Sequence, residues 1–142
     1  MKKYVMLYFL ILLFLSCESE GEFTRTEVGS VPVTTDSILQ YSGSFLPTSG
    51  IEVAGTANIY KDGSTFKVSL EGFSISSGPD LKVYLSTSES PNQFINLGAL
   101  GNGMLQTYVI PNGVDFTLYN HVLIHCQQYS HLYAIAALEA TN

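Results

Sequence analysis

A two-residue rhythm, interrupted every few residues by turn formers, most narrows what this chain can fold into. Thr65–Glu71 sets Phe66, Val68 and Leu70 against Lys67, Ser69 and Glu71, and Leu81, Val83 and Leu85 alternate with Lys82, Tyr84 and Ser86. Side chains of an extended strand point alternately to opposite faces, so this spacing gives a sheet one apolar and one polar side. Val53–Tyr60, Phe94–Leu97, Leu105–Ile110, Val122–Cys126 and Leu132–Leu138 are further candidate strands, and the strand pattern begins at Ile38. Lys61-Asp62-Gly63-Ser64, Gly101-Asn102-Gly103 and Asn112-Gly113 are hairpin signals between them, and Gly78-Pro79 ends any ladder that reaches it. No stretch beyond the N-terminal segment keeps a helical period. The expected fold is all-β: an antiparallel β-sandwich of about seven to eight strands, with a barrel as its near neighbour.

The N-terminus follows other rules. Lys2 and Lys3 precede an unbroken apolar run, Tyr4 to Leu15, which is short for a bilayer span but fits the hydrophobic region of a signal peptide. It ends in Phe14-Leu15-Ser16-Cys17, which resembles the lipobox of bacterial lipoproteins, although Phe14 and Leu15 are bulkier than the commonest lipobox residues. That resemblance implies a signal peptide over residues 1–16, cleavage before Cys17 and acylation of that cysteine. The protein would then be lipid-anchored in the bacterial cell envelope, in the periplasm or on the outer-membrane surface. A plain secretory signal is the alternative. Residues 17–36 open with Glu18-Ser19-Glu20-Gly21-Glu22 and carry no periodicity, which reads as a flexible acidic tether. Acidic residues in that place also resemble the surface-export signal of some Gram-negative lipoproteins. Residues 37–142 remain for one modest domain with one core.

Charge removes several function classes. With Lys2 and Lys3 set aside, four basic residues face twelve acidic ones, a net charge of about −8. Nucleic acid is therefore not an expected partner, and neither is an anionic membrane face, since both require clustered Lys and Arg. Hydrolase chemistry finds no G-x-S-x-G elbow, and Asp80 and Asp115 follow turn dipeptides that make them turn formers rather than bases. Classical enzyme activity is not expected. No Gly-rich loop opens a helix to cradle phosphate. The tyrosines Tyr41, Tyr60, Tyr84, Tyr108, Tyr119, Tyr129 and Tyr133 suit half-buried packing, unless a row of them is exposed as a ligand or glycan face.

Three segments taken in order resemble one family. They are Ser77-Gly78-Pro79-Asp80-Leu81-Lys82-Val83-Tyr84-Leu85-Ser86; then Asn96-Leu97-Gly98-Ala99-Leu100-Gly101-Asn102-Gly103 with Gln106-Thr107-Tyr108-Val109-Ile110-Pro111; then Tyr119-Asn120-His121-Val122-Leu123-Ile124-His125-Cys126 continuing through Tyr129 to Ala136-Ala137-Leu138. Their order and spacing resemble the electron-transfer DM13 domain, a small extracytoplasmic β-sandwich that accompanies DOMON domains in Skeletor-type proteins. The resemblance runs from about Ser42 to Leu138. It implies a redox or electron-transfer role for one nearly invariant cysteine, whose position Cys126 occupies, and an envelope or redox protein as partner. Two departures stand out. The residue before the cysteine, usually Trp, is His125, and His131 stands where the next strand usually carries an apolar residue.

Cys126 is also singled out by counting. The chain has two cysteines, so acylation of Cys17 leaves Cys126 without an intramolecular partner. A thiol reacts as its thiolate, which requires a cation, a helix N-terminus or a metal nearby. On the Val122–Cys126 strand, His121 and His125 share one face, while Val122, Ile124 and Cys126 share the other, which favours a buried and inert thiol. His131 is the exception. A tight hairpin pairing Gln127 with Ser130 would set it directly opposite Cys126, whereas placement of the two strands in different sheets would separate them. Copper or haem at a Cys126, His131 and Met104 set, or metal held by His121 and His125 from an exposed face, would suit the ligand types, but no spaced ligand motif supports either and no cofactor is expected. The first functional reading is therefore a redox accessory domain acting through Cys126 with His131 as modulator, the second a binding or structural envelope module in which Cys126 only fills the core, and the third, behind both, metal or haem binding at the Cys/His cluster.

Overall fold

Each alternating segment forms a strand. The computed structural model describes residues 36–142, so the signal peptide, Cys17 and all but the last residue of the tether lie outside the described residues. The strands are β1 (Ile38–Pro47), β2 (Val53–Asp62), β3 (Thr65–Ile75), β4 (Leu81–Ser86), β5 (Phe94–Ala99), β6 (Leu105–Ile110), β7 (His121–Cys126), β8 (His131–Ala137) and β9 (Glu139–Ala140). Every pairing is antiparallel, and the described residues contain no helix. The all-β expectation holds. The strand beyond the expected number is β9, two residues that pair with Tyr41 and Ser42.

The strands run in the order β5-β4-β7-β8-β1-β2-β3-β6, and β1 joins the two halves. Its first part, Ile38–Ser44, pairs with β2, and its last part, Phe45–Pro47, pairs with β8. The apolar face of the β1–β2–β3–β6 half contributes Ala57, Ile59, Val68 and Leu70; the other half contributes Val83, Leu85, Val122, Ile124, Ala134 and Ala136. All of these are fully buried. Burial of one large aliphatic side chain contributes about 1.5–3 kcal/mol, so this shared core holds the halves together.

β5 and β6, the two ends of the strand path, approach each other without forming a ladder. Side chains close the gap instead. Gln106 Oε1 accepts from the Gly101 N–H at 2.9 Å, and its Nε2 donates to the carbonyls of Gly101 and Gly103 at 3.1 and 3.0 Å. The Tyr108 hydroxyl accepts from the same Gly101 N–H at 3.0 Å and lies 2.7 Å from Gln106 Oε1. Both side chains are buried, which is tolerable only because their polar atoms have partners. Burial raises the Tyr108 pKa above the ordinary tyrosine value, with the Gly101 N–H bond acting the other way.

A bulge directs the end of β3 toward this closure. The register slips between Ala54 and Thr56, where Gly55 has φ 108° and Gly72 has φ 58°. Such conformations are strained for residues with a Cβ, and at Gly55 a Cβ would lie 2.6 Å from the Glu71 carbonyl oxygen. Beyond the bulge, the Phe73 N–H donates to the Met104 carbonyl at 3.0 Å, tying β3 to the β5–β6 loop.

Candidate functional site

The β7–β8 hairpin decides where the thiol stands. Its turn is tight: the Ser130 N–H donates to the Gln127 carbonyl at 3.4 Å, and Ser130 has φ 49°, a left-handed conformation for a residue with a side chain. β7 and β8 pair in one sheet, with Cys126 opposite His131. The tight-hairpin register is therefore the one adopted. On its other side Cys126 pairs with Leu81 of β4, and the Gln127 N–H donates to the Asp80 carbonyl at 3.0 Å. Cys126 is a free thiol and only 1% exposed. Alternation puts it on the side of the strand that carries Val122 and Ile124, although those two side chains belong to the core cluster and that of Cys126 does not.

His131 is exposed at the mouth of the hairpin, and its ring meets Tyr133 edge-on at 5.2 Å. The Ser77–Asp80 turn closes over this end. A Cβ at Gly78 would come within 2.8 Å of the Tyr133 hydroxyl and 2.9 Å of Leu81 Cδ2, so a side chain there would require those two side-chain ends to shift. A cavity of about 490 Å³ lies between this turn and the Ala99–Gly103 loop, with Phe73, Leu81 and Gln106 among its lining. Leu81 thus lines the cavity and is also the strand neighbour of Cys126.

The opposite face of β7 departs from the sequence expectation. His125 does not project from a solvated strand: it is only 8% exposed, and its ring stacks on Tyr84 at 5.3 Å. Tyr84 in turn stacks on Phe94 at 4.1 Å. These rings come from three strands and cover Leu123, which is fully buried although it faces away from the core. Among the described residues His125 Nδ1 is buried without a hydrogen-bond partner. Burial lowers the His125 pKa, and the charge of His131 lowers it further. His121, four residues back on the same face, bonds Asn120 Oδ1 through its own Nδ1 at 2.7 Å.

The remaining candidates disperse. Met104 is exposed on the β5–β6 loop, and no group of three His, Cys, Asp or Glu side chains among the described residues could hold a metal ion. Asp115 is the turn former its sequence suggests: its Oδ1 accepts from the Thr117 N–H at 2.9 Å and the Thr117 hydroxyl at 2.6 Å, and these bonds lower its pKa. Asp80 pairs with Lys82 at 3.1 Å. The tyrosines form no exposed row; Tyr84 and Tyr108 are buried, and Tyr129 alone of the seven is largely exposed. Sequence reasoning missed the Phe94–Tyr84–His125 stack and the Gln106–Tyr108 closure. The second had a legible signal, a glutamine and a tyrosine two apart on the apolar face of β6.

No curated protein and no solved structure matches this chain. The model of the family described as electron transfer DM13 matches residues 46–138, a span that holds the Ser77–Asp80 turn, the Ala99–Gly103 loop, Cys126 and His131. With more than half its length matched, the chain belongs to the electron-transfer DM13 family.

Proposed function

We propose that this protein is an envelope-anchored accessory domain whose redox role is carried by Cys126, with His131 as its modulator. One observation carries the reading: in a chain of the electron-transfer DM13 family, the free thiol among the described residues lies directly across the strand from a histidine. Cross-strand partners place their Cβ atoms about 5 Å apart, which sets the imidazole within reach of the thiol as a hydrogen-bond partner or base. With no second cysteine after Cys17, the chemistry is exchange with a partner's disulfide. The Cys126 thiolate attacks one partner sulfur, a mixed disulfide forms, the partner's S–S bond breaks, and its other sulfur leaves as a thiolate. Access requires Leu81 or the Ser77–Asp80 turn to move aside. The anchor is the acyl group at Cys17 on the outer side of a bacterial membrane, and metabolic labelling with a fatty acid tests it: the label is incorporated, and Cys17→Ser loses it.

The second reading, a binding or structural module in which Cys126 is core, rests on its 1% exposure. Titration of the folded protein with a thiol reagent at several pH values separates the two. The redox reading expects Cys126 to be labelled in the native state, and more slowly in His131→Ala. Labelling that appears only on unfolding overturns it and leaves the structural module.

A further inference from the structure

We infer that the cavity between the Ser77–Asp80 turn and the Ala99–Gly103 loop binds a small uncharged molecule bearing hydroxyl and amide groups on an apolar frame, of the size and class of an N-acetylated disaccharide. The inference goes beyond the redox reading and stands without it, because nothing in it requires Cys126 to react.

The first ground is shape. The cavity holds about 490 Å³, inside the range of about 300–1,000 Å³ typical of small-molecule sites. Its walls are independently fixed. The Gly78 turn is seated on Tyr133 and Leu81. The facing loop is held by Gln106 through Gly101 and Gly103, and by the Leu100 N–H, which donates to the Leu81 carbonyl at 2.8 Å. A site held in this way loses little entropy when it is filled.

The second ground is charge. No lysine or arginine lines the cavity, so it offers no counter-charge to a phosphate or carboxylate. Its one ionisable side chain, Asp80, already pairs with Lys82 at 3.1 Å, which weakens its pull on a cation. An uncharged ligand is what remains.

The third ground is the hydrogen-bonding surface. Gln106 and Ser76 are engaged within the protein. Among the described residues the side chains of Ser74, Ser77 and Asn102 make no hydrogen bond within the protein, although all three are exposed on the rim. Two hydroxyls and an amide donate as well as accept, and therefore suit a partner that does both. Ile75, Pro79 and Leu100 add apolar wall between them. A sugar ring with its C–H face and an acetyl methyl beside hydroxyl and amide edges matches this alternation; a purely apolar molecule would leave the polar rim dehydrated and unpaired.

The test uses the purified full chain, N,N′-diacetylchitobiose as the uncharged probe and N-acetylneuraminic acid as the anionic one, read by amide chemical shifts. Saturable shifts at Gly78, Gly101 and Gly103 with the disaccharide, and none with the acid, are expected. Ser77→Trp, which fills the cavity from an exposed position, weakens binding at least tenfold, and Asn102→Ala weakens it severalfold without adding bulk. Leu46 amide shifts identical to those of the unaltered protein show that each variant remains folded. Absence of saturation with the disaccharide, equal binding of the acid, or unchanged binding in both variants overturns the assignment. Thiol labelling of Cys126 is a separate readout, so failure here leaves the redox reading as it was.

Discussion

The two halves of the domain share one core but close their outward faces by opposite means. On the β1–β2–β3–β6 half, a row of polar residues crosses all four strands: Ser42 opposite Asn58, Asn58 opposite Ser69, Ser69 opposite Thr107. Partners satisfy most of this face. Ser42 donates to Asn58 Oδ1 at 2.6 Å, Tyr60 donates to Glu71 at 2.9 Å, and buried Lys67 meets Asp62 at 2.7 Å. On the β5–β4–β7–β8 half, stacked rings of Phe94, Tyr84 and His125 do the same work. Among the described residues each face leaves one buried side-chain polar atom without a hydrogen bond, Ser69 Oγ on the first and His125 Nδ1 on the second. One face is directional and the other is a matter of packed area. A ring face tolerates substitution of one ring by another, whereas a hydrogen-bonded face does not tolerate loss of one partner, and each can be broken accordingly.

The largest effect is expected from Tyr84→Ala. Tyr84 is only 2% exposed and touches a ring on each side, so truncation removes two stacks and uncovers Leu123. Replacement of a buried aromatic by alanine costs about 3–5 kcal/mol, while Tyr84→Phe keeps the stack and should cost under about 1.5 kcal/mol. Urea unfolding of both variants measures the difference. Equal losses would mean that the hydroxyl rather than the rings holds this face.

Next comes Asp62→Ala on the polar face. It deprives Lys67, whose side chain is 8% exposed, of a carboxylate that is itself 24% exposed. Partial exposure of the carboxylate lets water compensate, so the cost is expected at about 1–2 kcal/mol rather than that of a fully buried pair. The loss should shrink in high salt, whereas that of Tyr84→Ala should not.

His125 supplies the pH dependence. Its imidazole is held below its ordinary value of 6.5 in the folded protein, first by burial and then by the charge of His131. As pH falls below that ordinary value, the unfolded chain takes up the proton before the folded one does. Stability is then present in full above about 6.5, declines through the window down to the lowered folded value, and levels off beneath it. Facing groups on the flanking strands are Tyr84 and Lys82 of β4 and His131 of β8. His125→Phe keeps a ring in the stack and removes the unpartnered nitrogen. Its stability at pH 8 should match or exceed that of the unaltered protein by up to about 1 kcal/mol, and its acid decline should be shallower. Paired melts at pH 8 and pH 5 check this; an unchanged acid slope would place the titrating group elsewhere.

The contrast also marks how far the sequence could be read. Alternation in Thr65–Glu71 and Leu81–Ser86 announces the strands and their inner faces, because that face depends only on spacing within a strand. It also places Cys126 with Val122 and Ile124. It could not place His131, because the register of a hairpin depends on its turn, and this turn rests on Ser130 in a conformation that serine seldom adopts. His125 was legible only as an outward residue. What buries it is Tyr84 and Phe94, on strands whose neighbourhood to β7 comes from the order β5-β4-β7 and from no local pattern. The cavity was invisible for the same reason: the Ser77–Asp80 turn and the Ala99–Gly103 loop are brought face to face by the Leu100–Leu81 backbone bond, the Gln106 bonds and the β3 bulge, none of which is a local pattern.

Ser69→Ala is the smallest change and the sharpest comparison with His125→Phe. Ser69 is fully buried on the outward face of β3, and its hydroxyl has no partner among the described residues. A buried hydroxyl that bonds nothing carries a dehydration cost with no return, so its removal should not destabilise. Alanine fits the same volume with one atom fewer and has a poorer strand preference, an effect of a few tenths of a kcal/mol in the other direction. The net change expected is within about 0.5 kcal/mol, and it should be the same at pH 8 and pH 5, since a serine does not titrate in that range. A loss above about 1 kcal/mol would mean that Ser69 Oγ finds a partner, an ordered water bridging to Asn58 or Thr107 being the nearest arrangement. The two faces would then differ in kind at their unpartnered atoms as well, one filled by water and the other dry.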